Sequence, residues 1–293
     1  MNGTYPELDS LSLSELQARF RAAPPVDPDL EDAAPPRDPD RDSYHDLWYG
    51  EVAIAIRKRD PEGGARFLRG EVAVADPERL TAILLAITWF AERDRVHADL
   101  LIECLEHPDE HVAAEAIDGL SVLGGCGLTE RILALAADPR ALVRGAVLRF
   151  ARRVVPDRAP ALLLDGLRDP HYIVRENAVD ELDELDYMPA LPRIVELSRD
   201  PHPHVRSAAL GAIANLGPPD AAIALLLGAL RDPDVRVRFT AVSQLDQLDR
   251  FTDPGVFERM LDDPDEEVRG YTRSILGRRF PDVAGGPPEA LPR

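Results

Sequence analysis

Lysine is almost missing from this chain: of its 34 basic residues only Lys58 is one, and 53 acidic residues oppose them, leaving a net charge of −19. Such a field excludes a polyanionic partner. Binding a phosphate backbone needs clustered bases and gains from counterion release, so no nucleic acid is expected. Aromatic residues are only 5% of the chain, which excludes a core built on large rings and favours small Ala, Val and Leu packed helix on helix. There are two cysteines and no C-x-x-C, so neither a disulfide framework nor a zinc ribbon is suggested. Cys104 sits among Leu100, Leu101, Ile102 and Leu105, and Cys126 follows Gly124-Gly125.

Other absences narrow the class further. No run of eighteen apolar residues occurs, so no transmembrane helix is predicted. The opening MNGTYPELDS has neither a basic start nor an apolar stretch, so it does not read as a secretory signal and a cytoplasmic location is expected. Strand-type alternation never persists beyond short ambiguous runs such as 51–56. G-x-x-x-x-G-K-[ST], G-x-G-x-x-G and H-E-x-x-H are all missing, as is a Ser/His/Asp grouping at recognisable spacing. No catalytic residue and no cofactor are therefore assigned, and an enzyme is the less favoured reading. His107, His171 and His202 fall at equivalent places, with His111 and His204 nearby. Packed helices lie about 8–10 Å apart, too far for one shared ion, so no metal is expected. The Arg bias with abundant Ala, Pro and Asp suggests a GC-rich bacterial gene.

What is present is a period. Asp-Pro, or a near match, recurs at Asp76-Pro77, His107-Pro108, Asp138-Pro139, Asp169-Pro170, Asp200-Pro201, Asp232-Pro233 and Asp263-Pro264, with proline spacings of 31, 31, 31, 31, 32 and 31. In the last five units Val143, Val174, Val205, Val237 and Val268 follow four residues after the proline, and each is followed by an arginine: Arg144, Arg175, Arg206, Arg238 and Arg269. The unit reads D-P-x-x-x-V-R, then an Ala/Leu-rich run. The first two units, with Thr81-Ala82 and Val112-Ala113, lack the arginine. A period of this length means units that bury their apolar faces only against neighbours. Within residues 200–217, Asp200 can cap a helix start and Pro201 fits its first turn. Val205, Ala208, Ala209, Ile213 and Leu216 form an apolar stripe at helical spacing, and Gly217-Pro218 ends it. A second helix with Ala222, Ile223, Leu225, Leu226 and Leu230 follows, so each repeat is predicted to be a helical hairpin.

This pattern resembles the HEAT repeat. In its short period and Asp-Pro start it is similar to the HEAT-like repeats of phycobilin lyases, over about residues 60–280. The resemblance implies an all-α, right-handed superhelical α-solenoid of about seven helical hairpins. It implies that the conserved-type Asp and Arg positions lie on stacked turns, where Arg can bridge the Asp of its own or the next unit. The ladder positions would be Asp138, Arg144, Asp169, Arg175, Asp200, Arg206, Asp232, Arg238, Asp263 and Arg269. It also implies that the helix after each D-P lines a concave groove. Counting along those helices puts Arg149, Arg152 and Arg153 in a basic patch, Glu176, Asp180, Asp183 and Glu184 in an acidic one, and Phe239, Asp246 and Gln247 further along, Phe239 as a lone exposed aromatic.

The ends differ from the array. Residues 1–42 are expected to hold a short amphipathic helix (10–22, with Leu13, Leu16 and Phe20 on one face) and an acidic, Pro-rich linker. That helix could dock on the repeats or hang free. The solenoid is assigned to 43–280, and 281–293 to a flexible tail. Tyr44, Trp48, Tyr49, Phe67, Trp89 and Phe90 are expected to close the N-terminal end, Trp89 at the core position matching Ile213. The functional expectation is a monomeric, non-catalytic scaffold, inhibitor or adaptor that holds a protein partner with a basic surface in its acidic groove. The alternative is a bilin-lyase-like enzyme or chaperone acting on a bound prosthetic group.

Overall fold

A computed structural model describes residues 5–23, 44–90 and 98–281. The linker at 24–43, the tail from 282 and the side chain of Tyr44 lie outside the described residues. The described residues form sixteen α-helices with short 3-10 turns and no strand. No helix among them is long and apolar enough to cross a membrane.

The chain forms two compact units, Met1–Pro156 and Asp157–Arg293. In the first, α1 is Leu13–Arg21, α2 Tyr44–Arg59, α3 Pro61–Glu71, α4 Pro77–Trp89, α5 Ala98–Cys104, α6 Glu110–Val122, α7 Thr129–Ala134 and α8 Ala141–Val154. Helices α2, α4, α6 and α8 pack side by side as one layer, while α3 packs mainly on α2, and α5 and α7 each pack on the helix that follows. In the second unit, α9 is Ala159–Gly166, α10 Tyr172–Glu184, α11 Leu191–Leu197, α12 Pro203–Leu216, α13 Pro219–Ala229, α14 Val235–Gln247, α15 Pro254–Met260 and α16 Glu266–Arg279. Here α10, α12, α14 and α16 make one layer, and α9, α11, α13 and α15 pack on their successors. These are the helical hairpins that the period predicts.

The helix starts differ from the sequence reading in an instructive way. Asp200 does not cap α12; His202 is its N-cap and Pro203 its first residue. Asp200 instead accepts the His202 N–H at 2.9 Å, an Asx turn two residues wide. The same contact joins Asp138 to Arg140, Asp169 to His171, Asp232 to Asp234 and Asp263 to Asp265. Only in the first unit does Asp76 cap the helix with Pro77 inside it. So α4 begins two residues earlier relative to its proline than α12 does. Counting from the N-caps, Ile87 rather than Trp89 matches Ile213. Ile87 is buried, and Trp89 is 55% exposed.

Helix packing is close where it must be. Val205, Ala209, Ile213 and Leu216 are buried as the stripe predicts. Gly119 of α6 lies against α4 and α5: a Cβ there would stand 2.6 Å from Thr88 Oγ1 and 2.8 Å from Leu101 Cδ2. An alanine normally stabilises a helix interior by up to ~1 kcal/mol over glycine. At this site the clash, costing about 1–3 kcal/mol, wins. Gly119→Ala is expected to lower the melting temperature of the full chain in a thermal scan; an increase would show that α4 and α5 can yield.

At the N-terminus, α1 docks on α2. Ser12 and Glu15 form a reciprocal capping box at its start, and Leu16 and Phe20 are fully buried.

Candidate interaction face

Arg175, Arg206 and Arg238 of the second unit each serve two turns at once. Arg175 Nη1 donates to the carbonyls of Asp169 and Pro170 in its own turn, at 2.9 and 3.0 Å. Its Nε and Nη2 donate to both carboxylate oxygens of Asp200 in the next turn, at 2.9 and 2.8 Å. Arg206 repeats this with Asp200 and Pro201 behind and Asp232 ahead. Arg238 does so with Asp232, Pro233 and Asp263. The planar fork of a guanidinium matches both jobs, which an ammonium cannot. Burial alone would raise the Asp232 and Asp263 carboxyls. The hydrogen bonds from Arg206 and Arg238 and from the backbone outweigh it and hold both below the usual carboxylate range.

The last arginine, Arg269, keeps the contacts to its own turn, with Asp263 and Pro264, and turns its other edge to Glu266. In the first unit, Arg144 likewise donates to the Asp138 and Pro139 carbonyls. There the Asp138 carboxylate is clamped by Arg140, two residues on, which also reaches back to the His107 carbonyl at 2.6 Å. Arg140 thus bonds the turn of a repeat whose own V-R arginine is missing. The D-P-x-x-x-V-R count could not single it out, because it falls at an x position that the motif leaves open.

The face positions are also tied together, one repeat to the next. Arg149 of α8 grips Asp118 of α6 with Nη2–Oδ2 2.6 Å, and Arg153 donates to Ser121 at 3.0 Å. Arg152 is half-buried. In the second unit Asn215 donates to Asp183 at 2.8 Å, and Ser207 meets Thr240 at 2.7 Å. These links span 31 to 33 residues, the repeat period itself.

Three of the predicted contact residues are turned inward. Glu176 is only 9% exposed and lies 3.5 Å from His204 Nδ1, so it sits between α10 and α12 rather than in an open groove. Phe239 is not a lone exposed aromatic; its ring packs on Tyr271 at 5.1 Å and joins the core of the C-terminal repeats. The Asp246 side chain is 6% exposed, held by Tyr271, Arg278 and Arg279 of α16. Each loses its access because the next helix carries a partner for it. Asp180, Glu184 and Gln247 are exposed, and Asp183 is half-buried. Burial first, then the charges of Glu184 and Asp186, push the Asp183 carboxyl above its usual range, against the Asn215 hydrogen bond.

Two further clusters lie outside that face. The Tyr172 ring is stacked between His171 and His202, at 5.1 and 3.5 Å. Among the described residues no group of three His, Cys, Asp or Glu side chains is placed to hold a metal ion. Cys104 is buried, which pushes its thiol up to about 11, while Cys126 is exposed in a left-handed turn with φ 47°.

The family model described as HEAT repeats matches residues 160–246 and 197–277. Residues 160–277 carry HEAT repeats. That stretch holds the rungs of Arg175, Arg206 and Arg238. No curated protein matches the chain. Among solved structures, the chain is similar to an engineered protein, with 16% identity over 96% of this chain and 83% of that one, TM-score 0.46. It is similar to the CpcE–CpcF complex of phycocyanin lyase from Nostoc sp. PCC7120, with 18% identity over 86% and 92% and TM-score 0.45. It is also similar to Kap121p bound to Pho4p, with 13% identity over 94% of this chain but 35% of that one and TM-score 0.46.

Proposed function

We propose that this HEAT-repeat protein is a non-catalytic scaffold or adaptor, acting as a cytoplasmic monomer, that takes a protein partner with a basic surface on the exposed face of α10. The supporting observation is the crowding of charge there. Asp180, Asp183 and Glu184 are open or half-open to solvent on one helix, and the Asp183 carboxyl is raised first by burial and then by the charges of Glu184 and Asp186. Asp232 and Asp263, each gripped by a guanidinium, are pulled the other way. A partner's arginines would relieve the repulsion on α10 as the ladder arginines relieve it on the turns. Electrostatic complementarity of this kind speeds encounter and makes it salt-sensitive.

The exposed groups of these helices, the Asp180 and Glu184 carboxylates and the Gln247 amide, support binding rather than a reaction. The triple change Asp180→Asn, Asp183→Asn, Glu184→Gln is expected to weaken a partner recovered from the host at least tenfold in calorimetry at low salt. The melting temperature should hold, since no ladder bond is touched. Undiminished affinity in the folded triple variant would reject the acidic face.

A further inference from the structure

The docked N-terminal arm covers a face that is built like a helix-binding cleft, and the fit is incomplete. Phe20 of α1 meets Tyr49 and Phe67 edge-on, at 5.8 and 6.2 Å, and Tyr5 meets Trp48 edge-on at 5.0 Å. Arg21 stacks over Phe67 at 4.8 Å and donates through Nε to both Glu71 oxygens at 3.0 and 3.1 Å. The C-terminal carbonyls of the arm are read as well. Arg79 donates to the Phe20 and Arg21 carbonyls, and the Tyr49 hydroxyl to that of Ala22. The cleft therefore recognises apolar residues four apart, a following arginine and a free helix end. That is the helix-in-groove mode of recognition.

The incomplete part is Trp48. Its side chain is 1% exposed, yet the indole N–H meets no acceptor among the described residues. A buried donor left unmade is a standing cost, which an acceptor at that place would remove. The arm itself is weakly founded. Its nine-residue helix is shorter than helices that persist alone in water, and it buries only Leu16 and Phe20. Residues 24–43 separate it in sequence from the helix it covers.

We propose that α1 is an exchangeable occupant of this cleft, and that the cleft takes a partner's short amphipathic helix in its place. The partner helix carries Leu and Phe four residues apart, an arginine for Glu71 next to the Phe, and a polar acceptor for Trp48 Nε1. Its surface is separate from the acidic face of α10, so the two proposals fail independently.

The test uses the full chain. Residue-resolved hydrogen exchange is expected to show the α1 amides opening on their own, at least 100-fold faster than those of α2 and α4. A fluorescent peptide of residues 5–23 is expected to bind the Leu16→Asp chain at least tenfold more tightly than the wild type, and adding Glu71→Gln is expected to reverse that gain. Equal protection of α1 and α2 would overturn the proposal, as would no peptide binding by a folded Leu16→Asp chain. If Leu16→Asp does not fold, the exchange result on the wild type decides. Dimers that grow with concentration and vanish on adding the peptide would assign the cleft to a second copy's arm and overturn the partner reading.

Discussion

Arg238→Ala is expected to be the most damaging single change to the second unit, costing about 3–5 kcal/mol, because it strands a buried carboxylate. The Arg238 and Asp263 side chains are 10% and 3% exposed. The loss is also wider than one pair. Arg238 Nη1 holds the Asp232 and Pro233 carbonyls, so two turns lose their tie together. Chemical denaturation should show the midpoint fall. The double change with Asp263→Ala should cost less than the sum of the two singles, since the second removes the charge that the first left unpaired. Arg131→Ala, whose partner Glu106 stands at an exposed surface, is the control and should change stability by less than ~1 kcal/mol. Additive losses at 238 and 263 would mean that the rung carries no coupling.

The contribution of Glu115 to stability is expected to move with pH in the opposite direction to those of Asp232 and Asp263. In the first unit the Glu115 carboxyl is pushed up to about 8 by burial, with Asp118 adding and Arg149 and Thr88 opposing. Its ordinary value is 4.5, so between 4.5 and about 8 the folded chain keeps a proton that the unfolded chain releases. The contribution is whole below that window and is lost as pH rises through it. At about 1.4 kcal/mol per unit, discounted for partial exposure, Glu115→Gln should stabilise the first unit by roughly 2 kcal/mol at pH 9 and by little at pH 5. In the second unit the Asp232 and Asp263 carboxyls are held low, so their contribution is present above the ordinary carboxylate range and lost as pH falls through their folded values. Hydrogen exchange across pH 4 to 9 separates the units. An unchanged alkaline limb in Glu115→Gln would place the sensitivity elsewhere.

Much of the Arg–Asp ladder was legible in the repeat, and the reasons for the rest are specific. A step of six positions from Asp to Arg, kept through five units, puts those groups on stacked turns; Arg175, Arg206 and Arg238 do bridge successive aspartates. Which groove-facing residue stays free was not legible, because that depends on what the next helix carries at the same height. Asp183 and Asp246 stand at equivalent places after Pro170 and Pro233. One faces Asn215 alone in the next helix, and the other faces Tyr271, Arg278 and Arg279. The N-cap error at Asp200 has a similar source. Asp before Pro suits either a cap or an Asx turn, and only the path of the following residue, extended at His202, tells them apart.

The sequence by itself determined the all-helical class, the hairpin unit and the ladder. These follow from local spacing repeated many times, and each copy must satisfy the same packing with its neighbour. Its charge balance disfavoured a polyanionic partner on composition alone. Only the tertiary structure decided that α1 lies on α2, that Glu115 is desolvated and that Trp89 is open while Trp48 is closed. Glu115 is desolvated by what its neighbouring repeats happen to carry, while α1 and Trp48 turn on contacts between elements that share no repeat, at the capped end where the period stops. There no neighbouring copy constrains the answer, and the balance is struck by particular side chains meeting across long stretches of chain.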